Sequence, residues 1–364
     1  MSRARPTKRH CGERTVTGRI TFAVPGDLAT PTGGYAYDRR VIAELQALGW
    51  HVDAIDIGDC FPRPNDAQRA VAGYVLGTTP HDALLMIDGL ALGVIPEIAA
   101  GLAKTHSIVA LVHHPLALET GLSIDEAEAL RKSECDALSH AKKIVVTSTS
   151  TAEILLADYG VPKNKITIAE PGHDAVAQAT GSSDGILRLL TVGSIVPRKG
   201  YGVLIAALAQ LTDLPWHLTI AGDPARDPQT AAALDAAIAA EKLGERITLR
   251  GIVSDAELAA AYCGSDVFVQ ASLFEGYGMA AASAIAHGLP IVATSGGALG
   301  NTVGKAGIVV PPGDAPALTA ALRRMMSDPA ERQRHRAAAL TAAHGLQSWQ
   351  TTAMQFASAL KAAT

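Results

Sequence analysis

The sequence predicts an α/β protein made of two Rossmann-like domains, each with a doubly wound parallel sheet, and a cleft between them. Apolar, strand-like runs alternate with helical stretches along the chain, which is typical of parallel strands joined by helical crossovers. The alternation lapses once, in an Ala-, Gly-, Ser- and Asp-rich stretch over 173–185. The 364 residues suit two domains of roughly 150–180 residues each. Such folds bind ligands at the carboxyl ends of their strands, so the cleft is the expected site.

The first domain is expected over 19–178. Short buried runs bounded by turn residues predict its strands at 20–24, 51–57, 84–87, 108–112, 144–147 and 166–169. The spacing of Val41, Ile42, Leu45 and Leu48 marks one face of a helix that Gly49 ends. A second helix is predicted over 124–141.

The second domain is expected over 186–345, followed by a closing segment over 346–364. Its strands are predicted at 187–192, 217–221, 247–249, 267–270, 291–294 and 308–310. Ser254 and Glu257 form a capping-box signature, which places the start of a helix that runs to Tyr262. Further helices are predicted over 200–211, 228–243, 314–326, 329–343 and 346–363.

Composition excludes several classes of protein. A net charge of −4 and 4% aromatic residues argue against nucleic-acid binding. The four cysteines lie far apart, which suggests neither a zinc site nor a disulfide framework. The absence of a long apolar run or a signal peptide predicts a cytoplasmic protein. A disordered basic tail is expected over 1–18. Its charges, with Arg39 and Arg40, leave open a peripheral contact with the inner face of the membrane, although a solvated tail and a solvated helix face are the commoner explanations.

Two loops at predicted strand ends of the first domain carry candidate site residues. Paired glycines at Gly33 and Gly34 precede a helix and can bring N–H donors to a phosphate or a sugar hydroxyl, or serve only as turn residues. His113 and His114 follow an apolar strand, where imidazole can bind a hydroxyl or exchange a proton, or simply cap the strand. We take His113 as the stronger candidate of the two.

Two loops of the second domain carry the charged candidates. Arg198 and Lys199 lie between a strand and a helix start, where two cations and a helix N-terminus suit a multiply charged anion; a solvated basic loop is the alternative. Glu275 lies on a turn with glycines at 276 and 278, which lets the backbone approach a ligand closely. No DxD pair is present to hold a divalent ion, so the chemistry is predicted to need no metal or other cofactor.

The candidate residues of the second domain belong to four segments that follow one another along the chain, at 192–200, 251–255, 272–278 and 287–314. Together they resemble the group 1 (family 4, GT4) retaining glycosyltransferases of GT-B fold, from about residue 19 to the end of the chain. The resemblance implies a nucleoside diphosphate sugar as the donor and co-substrate. It also implies that the last helix returns to brace the first domain.

The resemblance also implies roles for individual residues. His113 and Glu275 would contact the donor sugar and form the catalytic pair. The expected donor diphosphate contacts are Gly33, Gly34, Arg198, Lys199, Gly278 and Met279. The expected nucleobase and ribose contacts are Gly251, Ile252, Val253 and Ser283. Two positions depart from the family pattern, since Ser283 replaces a second glutamate and Ser194 replaces an arginine, and a serine should hold a ribose hydroxyl more weakly or through water.

The function expected from this resemblance is sugar transfer to a hydroxyl acceptor with retention at the anomeric carbon. The acceptor could be a lipid-linked glycan precursor in polysaccharide biosynthesis, another sugar or a small metabolite. Two alternatives remain open at this point. The serines at 194 and 283 fit a non-catalytic sensor or partner protein of the same fold, and a nucleotide-sugar epimerase is a second enzyme class.

Overall fold

A computed structural model describes residues 17–364 of the chain, and the expected basic tail lies outside them apart from its last two residues. The first six strands form one parallel sheet in the order β2-β1-β3-β4-β5-β6. Their bounds are Gly18–Val24, Trp50–Asp56, Leu84–Asp88, Ile108–Val112, Lys143–Val146 and Ile166–Ile168 for β1 to β6. The helices that cover this sheet, α1 to α6, span Gly33–Ala47, Asp66–Gly77, Gly89–Leu92, Pro96–Leu102, Ile124–Ser139 and Thr149–Asp158.

The next six strands form a second parallel sheet in the order β12-β11-β10-β7-β8-β9. Strands β7 to β12 span Leu187–Val192, Trp216–Ala221, Ile247–Gly251, Val267–Gln270, Ile291–Thr294 and Gly307–Val310. Helices α7 to α11 span Tyr201–Ala209, Pro228–Ala240, Asp255–Cys263, Met279–Ala286 and Leu299–Val303. Helices α12 to α14 span Ala315–Ser327, Pro329–Ala343 and Trp349–Lys361. The predicted α/β fold with two doubly wound parallel sheets is confirmed.

Helix ends differ from the prediction where local backbone chemistry decides them. Helix α8 was predicted to reach residue 243 but ends at Ala240, and Lys242 adopts a left-handed conformation (φ 55°) that no helix can continue through. Helix α14 starts at Trp349 instead of residue 346, because the Ser348 side chain accepts a hydrogen bond from the Thr351 N–H and caps it there. The capping box of Ser254 and Glu257 is present as predicted.

Both sheets contain a topological switch point. In the first sheet, β1 lies between β2 and β3. The crossover from β1 to β2 and the crossover from β2 to β3 therefore run in opposite directions and cover opposite faces of the sheet. In the second sheet, β7 is flanked by β8 and β10 in the same way. Crevices at such points are where open α/β sheets bind ligands. The loops after β1, β3, β7 and β10 are therefore the favoured places for a site.

Within residues 17–364, the chain crosses between the two domains twice. After β6 it runs through residues 169–186 to the second domain, and after α13 it returns to place α14 on the first domain. Trp349 and Phe356 of α14 are buried in the same apolar cluster as Tyr37 of α1. The two crossings touch, because the His173 N–H donates to the Gln347 carbonyl at 2.9 Å and the backbone of Gly172 lies against that of Trp349. Within residues 17–364, no helix combines the length and the apolar character needed to cross a bilayer.

Candidate active site

The cation pair lies at the switch point of the second sheet. A single helical turn after β7, Pro197–Lys199, presents Arg198 and Lys199, and Gly200 then begins α7 with a left-handed backbone (φ 65°). Only glycine fits there, since a Cβ at Gly200 would lie 2.1 Å from the carbonyl oxygen of Ala271. The side chains of Arg198 and Lys199 are 18% and 16% exposed, so both cations are held in a partly desolvated place.

Glu275 follows the neighbouring strand β10 and reaches both cations. Its Oε1 accepts hydrogen bonds from Lys199 Nζ at 2.6 Å, Gln270 Nε2 at 2.7 Å and Ser272 Oγ at 2.6 Å. Its Oε2 has a 3.4 Å contact with Arg198. Burial alone would raise the pKa of this carboxyl, but Lys199 and Arg198 outweigh it and lower the pKa to about 2. Glu275 is therefore a fixed anion with one oxygen saturated and the other largely free.

The glycine turn after Glu275 brings the second domain against the first. A Cβ at Gly276 would lie 2.0 Å from the carbonyl oxygen of His113, so only glycine allows this approach. Gly278 (φ 95°) caps the N-terminus of α10, and Met279 is the first helical residue. The Met279 sulfur lies 3.9 Å from where a Cβ of Gly33 would be. The first N–H groups of α10 therefore start beside the glycine loop of the first domain, as a helix end that favours anions.

His113 directly follows β4 and contacts two buried carboxylates. Its Nε2 lies 3.1 Å from Asp38 Oδ1 and 3.6 Å from Asp88 Oδ2, and the Asp38 side chain is fully buried. Burial opposes a charge on the ring, but Asp38 and Asp88 outweigh it and raise the pKa of His113 to about 9. Burial also raises the pKa of Asp88. The imidazole is thus a cation at neutral pH.

Comparisons with known proteins identify the family of the chain. The family model described as "Glycosyl transferases group 1" matches residues 187–328. A D-inositol 3-phosphate glycosyltransferase of Pseudarthrobacter chlorophenolicus is 30% identical over 269 residues, covering 67% of this chain and 63% of the relative. An MMP alpha-(1→4)-mannosyltransferase of Mycolicibacterium hassiacum is 27% identical over 266 residues, covering 68% of this chain and 63% of the relative. The aligned part of the chain thus spans less than two thirds of the length of these two relatives.

The chain belongs to the group 1 glycosyltransferases. Solved structures agree on the fold: a sucrose-phosphate synthase from Thermosynechococcus elongatus has a TM-score of 0.79 at 22% identity, covering 94% of this chain and 98% of that one. Anabaena HepE in complex with UDP-glucose has a TM-score of 0.77 at 17% identity, covering 94% and 99%. The sequence-based assignment to a GT4-type glycosyltransferase of GT-B fold is confirmed.

Within this group 1 glycosyltransferase, the predicted nucleobase and ribose residues lie farther out. Gly251 ends the edge strand β9 and accepts a hydrogen bond from the Gly222 N–H at 2.9 Å, while Ile252 beside it is 59% exposed. Ser283 lies one helical turn after Met279 on α10 and is half-buried. Ser194 follows β7 and is half-buried as well. The structure therefore gathers the predicted diphosphate and sugar residues at the centre of the cleft and the predicted nucleobase residues at its side.

Three residues near this site escaped the sequence reasoning. Asp38 lies on α1, one turn after Gly34; Asp88 ends β3; and Glu119 contacts Arg198 across the cleft at 3.4 Å. Asp88 carried a usable signal, since a carboxylate directly after a buried strand lies at the ligand-binding edge of the sheet. Asp38 carried a weaker one, as a charge on a buried helix face. Glu119 carried none that we recognise.

The cluster around His113 bears on metal binding. Within residues 17–364, the ligand atoms of Asp38, Asp88 and His113 form a group close enough to share an ion, all within 4.8 Å of one another. His113 Nε2 lies at hydrogen-bond distance from Asp38 Oδ1, 3.1 Å, so the same three side chains also form a hydrogen-bonded ion pair. The expectation of metal-independent chemistry stays a prediction.

Proposed function

We propose that this chain transfers a sugar from a nucleoside diphosphate sugar to a hydroxyl acceptor, with retention of the anomeric configuration and without a metal ion. The observation that carries the proposal is the convergence of Arg198, Lys199 and Glu275 at the switch point of the second sheet, facing His113 across the cleft. Two cations and a helix N-terminus supply the charge that a diphosphate leaving group requires.

The donor diphosphate is proposed to lie on Arg198, Lys199 and the first N–H groups of α10. Charge builds up on the phosphate oxygens as the bond to the sugar breaks, and fixed cations in a partly desolvated site stabilise that charge most strongly. In this proposal no metal ion supplies positive charge, and the oxygen of the leaving phosphate takes the proton of the acceptor hydroxyl. Arg198 is well suited because its planar guanidinium donates to the Phe274 carbonyl at 2.8 Å and keeps other N–H groups for a phosphate.

The donor sugar is proposed to lie between Glu275 and His113. Because three donors already occupy Oε1 of Glu275, Oε2 is the oxygen that would accept a sugar hydroxyl. The His113 cation would donate to another sugar oxygen from the opposite wall. Close contacts between the domains, such as Asn301 Nδ2 to Ser150 Oγ at 3.1 Å, support a cleft that excludes water when closed.

The acceptor is proposed to enter from the first domain. The named relatives act on a phosphorylated inositol in one case and form an α-(1→4) mannosyl linkage in another, which supports a hydroxyl acceptor but not one particular compound. A sugar, a small metabolite and a lipid-linked precursor remain the candidates, the last with the protein peripherally bound at the inner face of the membrane.

The proposal is tested by a thermal-shift screen against UDP, GDP and ADP sugars, because a ligand that binds only the folded state raises the melting temperature. We then expect product formation from the best donor, unchanged by EDTA, with the anomeric configuration of the donor shown by NMR. Glu275→Gln should lower turnover by about 100-fold, on the scale of losing one preorganised contact in the transition state. Glu128→Gln is the matched control, because Glu128 is an exposed carboxylate on α5 whose ion-pair partner among residues 17–364 is Arg131.

The outcomes separate the competing functions. Binding of no nucleotide by the wild-type protein would contradict the proposal and favour a non-catalytic member of the family. An epimerised donor in the absence of acceptor would favour the epimerase. Full turnover by a folded Glu275→Gln variant would remove Glu275 from the site.

A further inference from the structure

The two nitrogens of His113 face different surroundings. Nε2 points inward, at 3.1 Å from Asp38 Oδ1 and 3.6 Å from Asp88 Oδ2. Nothing among residues 17–364 bonds Nδ1, and this atom is not among the buried unsatisfied ones, so it is open to a ligand. The ring therefore has one nitrogen used by the protein and one available in the cleft.

The ring is also fixed in its plane. Tyr37 packs edge-on against it, with ring centroids 5.5 Å apart at 83°, and the Tyr37 hydroxyl donates to the Ala169 carbonyl at 2.6 Å. The backbone of Gly34 covers another part, with His113 Nε2 at 3.7 Å from where a Cβ would be. These contacts limit how far the ring tilts, but they do not choose between its two flipped orientations, because an imidazole has nearly the same shape after a flip.

The choice between the two orientations rests on hydrogen bonding. Asp38 is fully buried and accepts through Oδ1, while its Oδ2 has no partner among the described residues. A buried carboxylate without its donor would be strongly unfavourable. The flipped ring would turn a carbon toward Asp38 and leave that carboxylate without a hydrogen bond. Asp38 thus selects the orientation with Nε2 inward.

We propose that Asp38 is a positioning residue that holds His113 so that Nδ1–H is the group presented to the donor sugar. This inference rests on the proposed function, since it needs a sugar in the cleft. Asp38 acts through His113 and does not touch the substrate itself. Asp88, at 3.6 Å, is too far for a hydrogen bond and adds a second negative charge beside the same nitrogen.

The protonated ring makes Nδ1 a hydrogen-bond donor. Burial acts against the charge, but the two carboxylates keep the pKa of His113 near 9, so both ring nitrogens carry protons at neutral pH. A cationic N–H donates strongly to a sugar oxygen and cannot accept a proton from a hydroxyl. On this account His113 binds and orients the sugar, and acid–base exchange falls to the departing phosphate.

Two substitutions at Asp38 separate orientation from overall folding. Asp38→Asn keeps an amide oxygen that accepts the Nε2 proton, whereas Asp38→Leu is similar in size and offers no acceptor. Asp53→Asn is the matched control, because Asp53 is a half-exposed carboxylate on the outer strand β2 that pairs with Arg19. For each variant, calorimetry would measure the affinity for the nucleoside diphosphate alone and for the corresponding nucleotide sugar, using the pair that stabilises the wild-type protein best.

For Asp38→Leu we expect an about tenfold weaker affinity for the nucleotide sugar, with the affinity for the nucleoside diphosphate unchanged within about twofold, since one hydrogen bond to a charged group is lost only when the sugar is present. Asp38→Asn should recover most of this loss.

Equal affinities of wild type and a folded Asp38→Leu for the nucleotide sugar would overturn the inference. An equal loss for both ligands would also overturn it, because it would show a structural role alone. If Asp38→Leu does not fold, Asp38→Ala, which also offers no acceptor, replaces it and is judged by the same two affinities and the same outcomes. A wild-type protein that binds neither ligand would remove the proposed function, and this inference with it.

Discussion

Lys199→Met tests whether the ion pair at the centre of the cleft is as strongly coupled as its geometry indicates. Lys199 Nζ lies 2.6 Å from Glu275 Oε1, and the two side chains are only 16% and 8% exposed. The substitution keeps the apolar stem of the lysine and removes its ammonium group. Glu275 is then left as a buried carboxylate whose nearest cation is Arg198 at 3.4 Å.

The expected cost is about 3 kcal/mol of unfolding free energy. Removing one partner of a buried ion pair costs about 3–5 kcal/mol, and the low end applies because Gln270 and Ser272 still donate to Oε1. The pKa of Glu275 leads to a similar figure. The pKa falls from 4.5 to about 2 although burial would raise it, which corresponds to about 3 kcal/mol of stabilisation of the ionised form; Lys199 is the largest stabilising contributor, and Arg198 and Ser272 add to it.

Urea denaturation of wild type, Lys199→Met and the exposed-site control Lys163→Met measures this cost at pH 7. The contribution of Glu275 is present above pH 4.5, because its folded-state pKa is depressed, and it is lost as the pH falls toward 2. The gap in unfolding free energy between wild type and Lys199→Met should therefore narrow as the pH falls from 4.5 toward 2. A variant as stable as Lys163→Met at pH 7, or a gap that does not change with pH, would refute the reasoning.

Three further predictions concern the scaffold. Burial raises the pKa of Glu134 to about 8, so the protonated side chain stabilises the fold at low pH, and this contribution is lost as the pH rises from 4.5 through 8. The melting temperature of the wild type should fall over that range, and Glu134→Gln should reduce the fall. Parallel pH profiles of the two proteins would contradict the prediction. Ser254→Ala should cost about 1 kcal/mol in urea denaturation by removing the cap of α9, and no change would show that the cap is dispensable. Gly222→Ala would place a Cβ 1.8 Å from the Gly193 carbonyl oxygen, so its melting temperature should fall by several degrees. Gly244→Ala, with open space around it, should change little, and equal effects of the two would argue against a steric cause.

The sheets could be predicted because each strand is a short apolar run between turn residues. Strands β4, β7, β10 and β11 have the predicted bounds. Buried parallel strands require continuous apolar sequence, and few other structures do. Helix ends were less predictable. Helix α8 is rich in alanine and is followed by Lys242 in a left-handed backbone conformation, and a lysine at this position gives no sequence signal for the end of a helix.

The charged centre of the site could be anticipated in part. Arg198, Lys199 and Glu275 lie in the loops that follow β7 and β10. Because β7 and β10 are neighbours in the sheet, the three side chains meet. The hydrogen bond between His113 and Asp38 could not be predicted from the sequence. Asp38 lies 75 residues before it on a helix, and their contact depends on how α1 packs against the sheet, which sequence spacing does not determine.

The double crossing between the domains limits how this molecule can move. The Thr352 hydroxyl donates to the Glu170 carbonyl at 2.7 Å, and the His173 N–H donates to the Gln347 carbonyl at 2.9 Å, so the outgoing and returning segments are tied together at one place. Two bodies joined at one tied point move mainly by rotating about an axis through it. The opening at the cleft is then set by the angle of rotation and by the distance from that axis. Glu119 and Arg198, which face each other across the cleft, would separate on opening and act as a reporter pair for that angle.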